Sequence, residues 1–115
     1  MKQVILIAAL VAGFAGPALA HTLLEKAAPA AGENLRTPPT AVTLHFTEAL
    51  EPAFSGIAVT DDAGHDEAAG PVSVGGTEMD LPLKPLAPGR YRVSWHAVSV
   101  DTHRTEGKYG FLVLR

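Results

Sequence analysis

The 115-residue sequence contains no cysteine. Neither disulfides nor thiolate metal sites are therefore available to it. Basic charge is also short, with nine Lys and Arg against twelve Asp and Glu. That balance excludes a nucleic-acid partner bound through phosphates. Internal repeats and long polar linkers are lacking, which leaves room for one domain. No glycine-rich phosphate loop occurs, and no nucleophile elbow accompanies Ser94 or Ser99. The residues thus argue against an enzyme. Methionine is confined to Met1 and Met79.

One long apolar run stands at the start. Lys2 precedes "VILIAALVAGFA", and "GPALA" closes it with small residues around a helix breaker. This is the pattern of a secretory signal with an Ala18-x-Ala20 cleavage site. A membrane anchor is the other reading. The run falls short of the ~20 residues a spanning helix needs, and Pro17 interrupts its end. The expected organisation is a cleaved signal over residues 1–20 and a mature domain over residues 21–115. Loss of Lys2 leaves eight cations against twelve acids, a net charge of −4 with neutral histidines. Export without disulfides fits a bacterial periplasm.

The mature part holds eight of the nine prolines, and short alternating runs lie between its breakers. That is the pattern of an all-β sandwich, here with about seven strands and Greek-key, immunoglobulin-like connections. "HTLLEKAAP" reads as the first strand. "AVTLHFTE" places Val42, Leu44, Phe46 and Glu48 on one face, and "SGIAVTD" follows as another strand. "VSVGGTEMDLPL" reads as a hairpin turning at Gly75-Gly76. The longest strand, after Pro88-Gly89, should turn Tyr91, Val93, Trp95 and Ala97 inward, and the last should do so with Tyr109, Phe111 and Val113. Leu23, Leu24, Phe46, Trp95 and Phe111 are core candidates, with a ligand-lining role the alternative for Trp95.

Histidines and carboxylates are the groups left for chemistry. "SVDTHRTEG" holds Asp101 and His103, which share a side in extended backbone. Both are ligand types for divalent transition metals, but D-x-H is a weak motif and on spacing alone a solvated turn is the favoured reading. His21 adds more. As the first mature residue it would offer its α-amine and imidazole Nδ1 as a chelate, and a metal can displace both protons near neutrality. His21, His103 and Asp101 together make a nitrogen and oxygen set suited to tetragonal Cu(II). Glu48 either faces water, holds the His21 amine, or acts as a distant ligand or supporting group around the metal. His45 and His96 alternate away from the core and read as surface residues. His65, in "DDAGHDE", reads as a solvated acidic turn or a loose metal loop.

"HTLLEKAAPAAGENL", "PPTAVTLHFTEAL" and the D-x-H-x-x-x-G-x-x-x-F ending of "SWHAVSVDTHRTEGKYGFLV" resemble the CopC family of periplasmic copper-binding proteins. The resemblance covers essentially the whole mature chain. It implies a small Greek-key β-sandwich that binds Cu(II) through His21, Asp101 and His103, with Glu48 beside the site. It also implies copper buffering, resistance, or delivery to a CopD-type inner-membrane importer, by a soluble, monomeric, non-enzymatic protein. Some members add a Cu(I) site of several methionines and a histidine. With Met79 alone, no such site is expected here. The alternatives are a copper enzyme with a terminal-histidine brace and a metal-free sandwich module.

Overall fold

A computed structural model describes residues 24–115. Eight strands form in it: β1 Leu24–Ala28, β2 Asn34–Leu35, β3 Ala41–Phe46, β4 Gly56–Asp61, β5 Ser73–Gly75, β6 Glu78–Pro82, β7 Gly89–Val98 and β8 Arg104–Val113. A single 3-10 turn covers Pro52–Phe54. Two four-stranded sheets result, ordered β1-β3-β6-β5 and β2-β8-β7-β4. All pairings are antiparallel except the short β2–β8 contact. The chain passes repeatedly between the sheets, giving the expected Greek-key sandwich.

Alternation decides which side chains fill it. Along β3, Val42, Leu44 and Phe46 are buried while their neighbours are partly exposed. Along β7, Tyr91, Val93, Trp95 and Ala97 are buried in the same period. They meet Val59 from β4, Met79 and Leu81 from β6, and Phe111 and Val113 from β8 in one core. Burying such a side chain contributes about 1.5–3 kcal/mol, so the sheet faces hold each other. Phe46 packs edge-on against Trp95 with ring centroids 5.5 Å apart, joining the two sheets. Trp95 is thus a core residue. Gly107 lies opposite it in register, where a Cβ would stand 2.7 Å from Trp95 Cζ2. The glycine of the D-x-H-x-x-x-G pattern is therefore space for an indole.

Several expectations need adjustment. The β5–β6 turn is Gly76-Thr77, because Gly75 already pairs with Glu78. Gly76 takes the left-handed φ of 60° that the tight connection needs. The strand count is eight, since Asn34-Leu35 forms a two-residue edge that composition does not announce. Strand β3 stops at Phe46, so Glu48 is not part of its face. Leu24 is half-buried against the core, and Leu23 lies outside the described residues. Among the described residues no helix is long and apolar enough to cross a membrane.

Candidate metal centre

Two loops are stitched together at one end of the sandwich. After β3 the chain runs through residues 47–51, where Leu50 N–H donates to Gly76 O at 2.9 Å and Glu51 N–H to Val98 O at 2.8 Å. In return Val100 N–H donates to Ala49 O at 2.9 Å. Val100 belongs to the β7–β8 connection, residues 99–103. Ser99 anchors that connection from a fully buried position. Its N–H donates to His103 O at 2.9 Å, and its carbonyl accepts Thr102 N–H at 2.8 Å. Its hydroxyl oxygen accepts His103 N–H at 3.1 Å. Thr102, a β-branched residue, is held at φ 68°, and its hydroxyl donates to the Asp101 carbonyl. Such a conformation persists only where surroundings over-determine it.

Those bonds bring Glu48 and His103 together. Glu48 Oε1 lies 3.1 Å from His103 Nδ1. The imidazole is 69% exposed and the carboxylate 31%, so the pair sits at the surface with the ring outermost. A carboxylate beside Nδ1 stabilises the tautomer with its proton on that nitrogen. Nε2 then carries the free lone pair, which is how metal-binding histidines are commonly oriented.

Asp101 is exposed in the same connection, two residues before His103. The alternation expected for the pair does not apply, because the span is a hairpin loop with a left-handed residue at its centre. His21 lies outside the described residues. Among the described residues no group of three or more His, Asp or Glu side chains gathers into a metal-binding cluster. The other histidines stand apart from this end pair. His45 Nε2 faces Glu78 Oε1 at 3.4 Å on the outer face of its sheet, and His96 is exposed on β7. A hydrogen bond that the protonated Glu78 carboxyl donates to the neighbouring Asp80 holds Glu78 above its ordinary range. His65 Nδ1 bonds Asp61 Oδ2 at 3.0 Å, and Asp61 Oδ1 accepts His65 N–H at 2.8 Å and Ala63 N–H at 2.9 Å. The His65 backbone bond is the main reason that the Asp61 carboxyl sits below its ordinary range. That loop is a self-capped turn.

Residues 24–114 match the CopC domain. The chain belongs to the CopC family. Among curated relatives, Protein YobA of Escherichia coli K12 is 38% identical over 98 residues, covering 82% of this chain and 79% of that one. Copper resistance protein C of Escherichia coli is 35% identical over 123 residues, covering 98% and 97%. Among solved structures, CopC from Methylosinus trichosporium OB3b superposes with a TM-score of 0.73 at 33% identity, over 82% of this chain and 94% of that one. PcoC, a methionine-rich copper resistance protein from Escherichia coli, superposes with a TM-score of 0.68 at 35% identity, over 82% and 99%. This CopC-family chain departs from the methionine-rich character of PcoC. It has two methionines, and Met79 is fully buried in the core.

Proposed function

We propose that this protein is an exported, periplasmic Cu(II)-binding protein that buffers copper or passes it on, and is not an enzyme. Copper is its cargo. The observation that carries this reading is the Glu48–His103 contact, in a CopC-family chain, which leaves His103 Nε2 open to a metal. Asp101 supplies a carboxylate from the same loop. Imidazole and carboxylate suit Cu(II), whereas soft ligands for Cu(I) are limited to the buried Met79.

The remaining donors are the α-amine and Nδ1 of His21, released by cleavage after Ala20. Leu24 pairs with Phe46, two residues before Glu48. Three residues of extended chain can reach about 10 Å from Leu24, which stands at the end of β1 beside the loop that carries Glu48. The residues divide the work. His21, Asp101 and His103 bind, while Glu48 orients His103. Delivery to a CopD-type membrane importer, suggested by the family resemblance, is part of this proposal.

The test begins with the chain purified after export, its first residue read by mass spectrometry. Tight Cu(II) binding that weakens as the pH falls is expected, because protons compete for the amine and the imidazoles. One extra residue before His21 should lower affinity and change the electron spin resonance spectrum. An unchanged spectrum would remove the amine from the site, and absence of Cu(II) binding would overturn the function.

A further inference from the structure

The outer face of the β2-β8-β7-β4 sheet carries a groove of about 610 Å³, within the range that holds small molecules. Strand β7 presents Arg90 and Arg92 to it, and β8 presents Lys108. Gly110 stands directly opposite Arg92 and leaves a gap between Lys108 and Leu112. A Cβ there would come 3.3 Å from the Tyr91 carbonyl oxygen, so the floor is closely fitted backbone. The wall is the segment before β3, fixed by Gly32 N–H to Gly110 O at 2.7 Å and Leu112 N–H to Glu33 O at 2.9 Å.

The charge of this groove runs against that of the molecule. The chain has a formal net charge of −3, yet three cations line the groove and only one acid, Asp62, does. The ion pairs among the described residues all involve histidines, so none of Arg90, Arg92 and Lys108 has a carboxylate within 4.0 Å. Arg90 and Arg92 are two residues apart on one face, a separation of about 7 Å. Lys108 is diagonal to Arg92 across the strands, again about 7–8 Å away. Guanidinium groups bind oxyanions through paired N–H donors, and the ammonium adds a point charge.

We propose that this groove is a second binding site, for a small polyanion bearing two oxyanion groups within joint reach of the Arg90, Arg92 and Lys108 side chains. Polycarboxylates and diphosphates share that chemistry. The concave form and Asp62 disfavour a flat anionic membrane, and the exposed large apolar residues, Phe54 and Val100, lie outside the groove. From Arg92 to Ser99 the strand runs about 23 Å, so the groove and the metal centre can be filled independently.

Calorimetric titration of the metal-free protein with citrate and with inorganic pyrophosphate tests this. Saturable 1:1 binding to either is expected, weakening with added salt. Amide resonances of Gly110 and Leu112 should shift with it. Arg92→Gln combined with Lys108→Gln should weaken binding about tenfold or more while the melting temperature holds. Arg36→Gln, outside the groove, should change nothing. The proposal is overturned if neither anion saturates, if the double variant binds as before, or if the shifted amides lie elsewhere. Binding only to phosphatidylglycerol vesicles would also overturn it, by assigning the face to a membrane.

Discussion

Glu48 Oε1 and His103 Nδ1 meet at 3.1 Å although 55 residues separate them in the chain. Neither lies on a strand. Each is carried by one of two loops, the one after β3 and the β7–β8 connection, which backbone bonds lace together. Glu48→Gln keeps the shape and removes the charge that favours a proton on Nδ1. Cu(II) affinity should fall about 10- to 100-fold, measured against a competing chelator, with the melting temperature of the metal-free protein little changed. Equal affinity in the variant would show that Glu48 does not orient the ligand.

Ser99 is the hidden support of the same site. Its hydroxyl oxygen accepts the His103 N–H at 3.1 Å from a fully buried position. Ser99→Ala should cost about 1–2 kcal/mol of stability, since a partner is removed from a backbone donor. Hydrogen exchange at the His103 amide should accelerate more than exchange in the β7–β8 ladder. Uniform acceleration across the ladder would mean that the bond holds no local structure.

Gly107 and Trp95 make a packing prediction independent of metal. A Cβ at position 107 would lie 2.7 Å from Trp95 Cζ2. Gly107→Ala should therefore destabilise the protein by about 1–3 kcal/mol, as overpacking does. Trp95 is the sole tryptophan, so its emission reports the displacement directly as a red shift. An unshifted spectrum with an unchanged melting temperature would contradict the contact.

Tyr109 links stability to alkaline pH. Burial, aided by the nearby Glu33 carboxylate, pushes its phenol up to about 12 from an ordinary 10.0. The folded chain thus holds this proton longer than the unfolded chain. Its stabilising contribution is complete below about pH 10 and is lost as the pH rises through about 12. Tyr109→Phe should flatten that alkaline loss in thermal melts. The phenol oxygen is also buried without a hydrogen-bond partner among the described residues. At neutral pH the variant should therefore melt at the same temperature or higher. A clear fall at neutral pH would reveal an unrecognised partner.

The core strands were legible because their periodicity is a local property. Val42, Leu44 and Phe46, and Tyr91, Val93, Trp95 and Ala97, alternate in the chain and are buried in that order. The Gly75-Gly76 turn was misplaced by one residue, since either glycine can begin a turn and only pairing with β6 chooses Gly76. The Asp101–His103 relation was read by strand parity, which fails where Thr102 adopts a left-handed conformation.

Composition and short-range pattern alone therefore determined the all-β class, the core faces, the exclusion of thiolate chemistry and the candidate ligands Asp101 and His103. They did not choose among the roles open to Glu48. Tertiary structure decided which side chain that carboxylate meets, by lacing residues 47–51 to residues 98–100 and placing it on His103. It also gathered Arg90, Arg92 and Lys108 from two strands onto one face of an acidic protein. Neighbours along the chain share a face by period, which sequence displays. Neighbours across strands share a face by register, which only packing of the whole fold fixes.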